Sequence, residues 1–326
     1  MKNFYLGFDI GGTKSTAILG VAEAADGADL KPHAHRLWPT GGLSPLQCIE
    51  KFAQSSEAML SEAGAAIDDV RGIGIACGGP LDSQAGIIQS PPNLPGWDDI
   101  HVVETLRGFF PRCRHIQLEN DANADAVAEW RWGAGRGTRN MVFITFGTGC
   151  GAGLILDGRL YGGTNGNAGE CGHMRLTPFG PPGYGKAGSM EGYCSGGGIA
   201  KLGLLRIQER LQSGGVVPWY DPERPPTARD IAVAADSGDE LARAIYAECG
   251  TRLGEGLALM VDLLNPEAIV IGSIFERSEK LLRPAMAAAL RREALPQAER
   301  VCRVLPAALG DQLGFYASLA LAVGGE

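Results

Sequence analysis

The sequence predicts an α/β protein whose core is duplicated. Short apolar runs alternate along the chain with longer amphipathic runs at helical spacing. One unusual device, a strand entering a glycine-rich turn and leaving as another strand, occurs twice. Its copies are Phe8-Asp-Ile-Gly-Gly-Thr-Lys-Ser-Thr-Ala-Ile-Leu-Gly20 and Thr145-Phe-Gly-Thr-Gly-Cys-Gly-Ala-Gly-Leu-Ile-Leu-Asp-Gly158. The length, 326 residues, leaves room for two domains or one large one. An internal duplication is the economical explanation of the repeat.

Phe4 to Phe8 is an aromatic-rich strand that runs into Asp9-Ile-Gly-Gly-Thr-Lys14, and Thr16 to Val21 resumes as the second arm of a hairpin. His33 to Trp38 is a third strand candidate behind the polar turn Ala25 to Lys31. Ser44-Pro45 starts a helix, Ser as N-cap and Pro at the first helical position, and Gly64 stops it. Leu46, Ile49, Phe52, Ala53 and Leu60 form its apolar face. Val70 to Cys77 reads as a buried strand ending at Gly78-Gly-Pro80, and Pro91-Pro-Asn-Leu-Pro-Gly-Trp97 as a shaped, proline-rich loop. A helix over Val102 to Phe110 and a strand over His115 to Leu118 then deliver the chain to Leu118-Glu-Asn-Asp-Ala-Asn123. That hexapeptide opens a helical run to Trp132, and a domain boundary is placed at residue 118. Taken alone, Asn120 and Asp121 read as helix caps.

Met141 to Phe146 is again a strand, followed by the loop Gly147 to Gly153, a strand over Leu154 to Leu156 and the turn Asp157-Gly158. Gly162 to Gly198 is glycine-rich and irregular, long for a connection and therefore a candidate functional segment. Helices are expected over Ile199 to Leu211 and Asp239 to Leu264, with the loop Ser213 to Pro226 between them. A strand over Ala268 to Ile271, a helix over Leu282 to Leu290, a strand over Val301 to Val304 and a closing helix over Phe315 to Val323 complete the chain.

Composition excludes some classes of function. With 45% hydrophobic and 20% charged residues the chain is an ordinary globular one. A formal net charge of -8, with no basic block beyond Arg291-Arg292, argues against a nucleic-acid surface. The opening Met1 to Asp9 has one basic residue and an apolar run cut by an acid, which fits neither a signal peptide nor a membrane span. Eight cysteines without a CxxC pair read as reduced thiols in a cytoplasmic protein. The 48 glycines concentrate between Gly133 and Gly198, which suggests backbone approaching a ligand.

Three chemistries compete for these glycines. A dinucleotide-binding fingerprint needs a helix directly after its loop, whereas Leu154-Ile-Leu-Asp-Gly158 reads as strand and turn. Gly180-Pro-Pro-Gly-Tyr-Gly-Lys186 is a near miss for a P-loop, but Ala187 stands where Ser or Thr would hold magnesium, and two prolines remove backbone donors. The third is a pair of hairpin turns whose backbone amides face a polyphosphate, with Thr13, Lys14 and Thr148 as added donors. Asp9 beside phosphates then calls for a cation, and magnesium bound through water fits. The plainer reading of Asp9 is a turn-starting Asp.

At this point the chain resembles, over nearly its whole length, the ROK family of sugar kinases and related repressors, members of the actin-like ATPase superfamily. The matching segments are Asp9-Ile-Gly-Gly-Thr-Lys14, Pro92-Asn-Leu-Pro-Gly-Trp97, Glu119-Asn-Asp-Ala-Asn123, Gly147-Thr-Gly149, Gly166-Asn-Ala-Gly-Glu-Cys-Gly-His173 and Glu191. The resemblance implies a two-domain actin-like ATPase (ribonuclease H-like) fold with ATP and a hexose meeting in an interdomain cleft. It implies a small domain over residues 1–117 closed by a C-terminal helix (306–326), a large domain over 118–305, and hinges near Leu118 and Pro306. Asn93, Asn120, Asp121, Glu170, His173 and Glu191 would surround the sugar, with Asp121 as the catalytic base. Asp9, Gly11, Gly12, Thr13, Lys14, Gly147, Thr148 and Gly149 would line the phosphates, with Gly272 near the adenine. The chemistry agrees, since a sugar offers only hydroxyls and needs carboxylates, amides and an imidazole around it. ATP with Mg²⁺ is the implied donor, inorganic polyphosphate the alternative, and a cytoplasmic homodimer the implied form.

The sequence departs from the family at two places. Most members carry a zinc-binding stretch of pattern CxCGxxGCxE after the His. Counting back from Glu191, this chain has Pro182, Tyr184, Gly185, Gly188 and Ser189, so both glycines survive and all three cysteines are gone. No structural zinc is expected, because His173 alone cannot supply four ligands. Cys171 and Cys194 are expected to be packed thiols, and Pro181, Pro182 and Tyr184 to stiffen the loop instead. At Gly272-Ser-Ile-Phe275 the family's further glycines are missing.

The expected reaction is transfer of the γ-phosphoryl group to a hexose hydroxyl, the 6-hydroxyl of a glucose-type sugar foremost. Fructose, mannose, allose and N-acetylhexosamines are the alternatives. Asp121, with a reference pKa of about 3.9, is expected to be ionised at neutral pH without tuning. A sugar-sensing repressor is the rival from another class, disfavoured by the acidic charge and by a first strand at Phe4 that leaves no helix-turn-helix before it. An inactive sugar-binding module would require loss of Asp121 or the phosphate turns.

Overall fold

The computed structural model describes residues 2–324. β1 (Asn3–Ile10), β2 (Lys14–Ala22) and β3 (Lys31–Pro39) form an antiparallel meander. α1 (Pro45–Glu62) starts at Ser44 with the predicted cap, strengthened by a reciprocal bond with Gln47. The chain leaves it through Gly64 at φ +74°. β4 (Val70–Cys77), the short pair β5 (Leu81–Asp82) and β6 (Ile87–Ile88), α2 (Val102–Phe109), β7 (His115–Asn120) and α3 (Asp121–Trp132) follow. The second half contains β8 (Met141–Phe146), β9 (Cys150–Leu156), β10 (Arg159–Leu160), the short pair β11 (Pro182–Gly183) and β12 (Lys186–Ala187), α4 (Met190–Tyr193) and α5 (Gly196–Gln212). It continues with α6 (Ala228–Asp236), α7 (Glu240–Leu264), β13 (Ala268–Ile271), α8 (Ile274–Glu293), α9 (Pro296–Glu299), β14 (Arg303–Pro306) and α10 (Leu313–Val323).

Two five-stranded sheets result, in the orders β3-β2-β1-β4-β7 and β10-β9-β8-β13-β14. Counted within each half, the two orders are the same. In each, a hairpin is followed by strands that add in parallel, β4 on β1 and β7 on β4, then β13 on β8 and β14 on β13. This is the duplicated core that the repeated hairpin suggested. The chain divides into two compact units, one of Met1–Gly137, Gly153–Ala168 and Ala308–Glu326, the other of Thr138–Ala152 and Gly169–Ala307.

The first unit is built on the first sheet. One face carries Phe8, Phe52, Trp38 and Phe110, with the Phe8 and Phe52 rings 4.5 Å apart. The other face receives α10, an almost wholly apolar helix of small residues, at very short range. A Cβ on Gly74 would stand 1.9 Å from the Ser318 carbonyl oxygen, so only glycine admits the helix there. In the second unit α7 and α8 pack on each other, and β8 and β13 are fully buried apart from Thr145.

Several expectations are corrected. The first unit runs past the boundary placed at residue 118, because α3 packs against α10 and is tied to residues 308–309 by Glu129. This carboxylate is fully buried. Its Oε1 accepts from the Ala308 and Leu309 N–H groups at 2.9 Å each, and its Oε2 accepts from Ala134 N–H at 2.7 Å. The loop expected to reach Gly153 ends at Gly149, since β9 begins at Cys150. Only glycine fits at position 153 of that strand because α3 lies close, a Cβ there falling 2.6 Å from the Ala122 carbonyl oxygen. α8 begins at Ile274, not Leu282, with a non-helical Ser278 and Pro284 inside it interrupting the periodicity. β14 covers Arg303–Pro306 because Ala268 pairs with Arg303. α6 was missed, although Thr227 and Asp230 form a capping box at its start.

Candidate active site

In the first unit, parallel pairing brings the chemistry to one end of the sheet. Asp9 on β1 is level with Ala76 on β4, which is level with Glu119 on β7. The next positions, Ile10, Cys77 and Asn120, are the last of their strands. Ligands of such sheets bind beyond the carboxyl ends of parallel strands. There the β1–β2 turn, closed by Gly11 N–H to the Lys14 carbonyl at 3.1 Å, exposes Thr13 and Lys14. Thr40 supports the turn from beneath, its hydroxyl donating to the Gly11 carbonyl at 2.6 Å. Gly12 lies against the proline-rich loop, where a Cβ would meet the Asn93 carbonyl oxygen at 2.1 Å. The turn and exposed Asn93 are thus neighbours, and Trp97, buried beneath, anchors the loop.

Asn120 and Asp121 sit where β7 becomes α3. Asn120 is the N-cap, its Oδ1 accepting from Ala122 N–H at 2.9 Å, and the Asp121 Oδ1 accepts from the same N–H at 2.8 Å. The cap read from sequence is therefore real. Asp121 is exposed along one side, but protein surrounds the rest of its carboxyl. That loss of hydration raises its pKa above the ordinary aspartate value, against the two backbone N–H groups that lower it. The expectation of an untuned Asp121 is corrected accordingly. Asp9 is pushed up to about 6, first by burial and then by the negative charge of Asp121, with Lys14 opposing. Two carboxyls therefore lie at the same end of the sheet as the glycine turn, and negative charge gathered there suits a divalent cation.

The second unit repeats the device. Gly147-Thr148-Gly149 turns tightly, Gly147 N–H reaching the Gly149 carbonyl at 3.1 Å, with Thr148 exposed. Gly272 follows β13 directly, and its N–H donates to the Ile144 carbonyl at 3.0 Å, which sets it beside the end of β8. Two longer helices begin here. Gly196 N–H, at the start of α5, donates to the Gly147 carbonyl at 2.8 Å. A Cβ on Gly196 would lie 3.4 Å from Ile274, the first residue of α8. Helix N-termini favour anions, so α5 and α8 add positive ends to the turn. Sequence reasoning missed Gly196 and Ser273, although a Ser followed by three glycines was a visible cap signal.

Glu191 connects this turn to the glycine-rich segment, its Oε2 accepting from Cys150 N–H at 3.1 Å. Glu170 and His173 lie on a short helical turn packed under β9, where Ala152 N–H donates to the Gly169 carbonyl at 2.8 Å. Both side chains are exposed. Cys171 and Cys194 are buried free thiols, as expected. Among the described residues no three His, Cys, Asp or Glu side chains are grouped to hold a metal. Asn93, Asn120, Asp121 and the first glycine turn are thus assembled in one unit, and Glu170, His173, Glu191, Gly272 and the second turn in the other.

Comparison with known proteins is consistent with this geometry. The chain is 32% identical to the glucokinase of Halalkalibacterium halodurans over 286 residues, covering 86% of this chain and 83% of that protein. It is 30% identical over 231 residues to the DNA-binding transcriptional repressor Mlc of Escherichia coli, of which it covers 55%. Among solved structures, the ROK hexokinase of Thermus thermophilus superposes with a TM-score of 0.79 at 28% identity, over 99% of this chain and 98% of that one. A ROK family glucokinase of Streptomyces griseus, in complex with glucose and AMPPNP, gives a TM-score of 0.70 at 27% identity, over 99% and 100%. The family description itself matches residues 5–324. With its duplicated sheets, paired glycine turns and carboxylates at the strand ends, the chain belongs to the ROK family.

Proposed function

We propose that this protein is an ATP-dependent hexose kinase in which Asp121 is the general base. The observation that carries the reading is the placement of Asp9 near the carboxyl end of β1 and of Asp121 just past the end of β7, in one parallel sheet beside the glycine turn. One carboxylate serves the acceptor hydroxyl and the other serves the cation that accompanies the phosphates. Glucokinase and hexokinase relatives support a hexose as acceptor, and the complex with AMPPNP supports a nucleotide donor.

Phosphoryl transfer passes through a loose transition state, so the protein's work is positioning and charge neutralisation. Asn93, Asn120, Glu170, His173 and Glu191 bind the sugar hydroxyls and present one of them, the 6-hydroxyl, to Asp121. Asp121 accepts its proton as the bond to phosphorus forms, and its raised pKa makes it a stronger acceptor than a solvated aspartate. Gly11, Gly12, Thr13, Lys14, Gly147, Thr148 and Gly149 hold the phosphates through backbone N–H groups, hydroxyls and one ammonium. Gly272 borders the base. Asp9 would hold the magnesium ion that accompanies the nucleotide, and that ion would supply positive charge to offset the charge of the phosphates.

The test is an ADP-release assay against glucose, fructose, mannose, allose and N-acetylhexosamines, repeated with inorganic polyphosphate as donor. Turnover of at least one hexose is expected, with Asp121→Asn slower by roughly 10²–10⁴-fold while sugar binding persists. Near wild-type turnover in that variant would remove Asp121 from the role. Sugar binding without turnover of any hexose would favour the rival reading, a sugar-sensing role like that expected of a repressor.

A further inference from the structure

The β11–β12 hairpin contains the segment whose prolines and Ala187 disqualify it as a phosphate loop. Pro182 pairs with Ala187 and Gly183 with Lys186, so Tyr184 and Gly185 alone make the turn. Both have positive φ, +44° and +76°. Two-residue turns of that hand favour Asn or Gly first, because a bulky side chain crowds the backbone there. Tyrosine is thus locally disfavoured, and at 77% exposure it is not compensated by core packing. Its ring instead meets the His173 imidazole edge to face, with centroids 5.3 Å apart and planes at 67°. From the returning strand, Lys186 Nζ donates to the His173 carbonyl oxygen at 2.5 Å. The hairpin is itself anchored: Arg175 Nη1 donates to the Ala187 carbonyl at 2.7 Å and Lys201 Nζ to the Pro182 carbonyl at 2.8 Å. His173 is held by its ring and by its backbone from one small hairpin. Backbone strain that places an exposed aromatic against a polar side chain points to function.

We propose that Tyr184 is a positioning residue that holds the His173 imidazole in the orientation in which it meets a sugar hydroxyl. The assignment rests on the sugar-binding role proposed above for His173. Tyr184→Asn is the informative variant, since Asn suits the turn better than Tyr while removing the ring, and Tyr184→Phe keeps the ring. The hexose KM of Tyr184→Asn should rise about 3- to 10-fold, as loss of one aromatic contact allows, with kcat within about twofold of wild type. The KM for ATP and the melting temperature should not worsen, and Tyr184→Phe should behave as wild type. Independently of turnover, the His173 ring protons, identified by their loss in His173→Gln, should be displaced in the NMR spectrum by the tyrosine ring current. That displacement should vanish in Tyr184→Asn and survive in Tyr184→Phe. An unchanged hexose KM, a marked loss of thermal stability, or undisplaced His173 resonances in the wild type would each overturn the assignment. If the wild type phosphorylates no hexose, the kinase reading falls and this role falls with it. If the wild type is active and Tyr184→Asn matches it, only Tyr184 is removed.

Discussion

Replacing Asp9 by Asn should stabilise the ligand-free protein at neutral pH while impairing phosphoryl transfer. The folded protein raises the Asp9 pKa from the ordinary 3.8 to about 6, through burial and the neighbouring Asp121 charge. A carboxyl whose folded pKa lies above its unfolded value binds its proton more tightly when folded. It therefore favours folding at acidic pH, and that contribution is lost as pH rises from about 4 through about 6. The difference corresponds to a ceiling of about 3 kcal/mol at neutral pH, at 1.36 kcal/mol per tenfold change. Asp9 is partly exposed, and screening by solvent reduces this to about 1–2 kcal/mol. For a domain of this size that is a rise in melting temperature of roughly 3–6 °C in Asp9→Asn. Thermal unfolding of both proteins, free of nucleotide and with a metal chelator, between pH 4 and pH 8 is the assay. The two curves should converge near pH 4 and separate with rising pH, levelling above about pH 7. A constant offset across that range, or an Asp9→Asn protein less stable at pH 7, would refute the reasoning.

Two further substitutions test how the fold serves the site. Gly12→Ala places a Cβ 2.1 Å from the Asn93 carbonyl oxygen and should cost about 1–3 kcal/mol in urea unfolding and raise KM for ATP; Gly41→Ala, with nothing within 4 Å, should be neutral. Glu129→Ala removes a fully buried carboxylate that accepts three backbone N–H groups and should cost about 3–5 kcal/mol by the same measurement. A loss below about 1 kcal/mol would mean that water replaces the carboxylate and that α3 is tied to residues 308–309 by other means.

Much of this protein was legible in its residue order because the determining interactions are local. Apolar runs of strand length placed β4, β8 and β13 within a residue of where they lie. Ser44-Pro45 announced its helix because an N-cap is satisfied by groups three residues away. The repeated hairpin foretold two sheets of one topology, since a glycine turn between strands needs nothing beyond itself. The candidate site residues could be named because turn glycines, carboxylates and an imidazole occur in a recognisable order. What they do to one another was not legible. That Asp9 and Asp121, more than a hundred positions apart, raise the same local negative charge follows from parallel pairing of β1, β4 and β7, which residue order does not specify. The membership of α3 in the first unit rests on its packing against α10 and on a buried carboxylate that meets backbone N–H groups brought from the far end of the chain. The tyrosine at a positive φ and its contact with His173 exist only once the hairpin register is set. Hydration, charge coupling and strain depend on distances through space, and these arise only when the chain has folded.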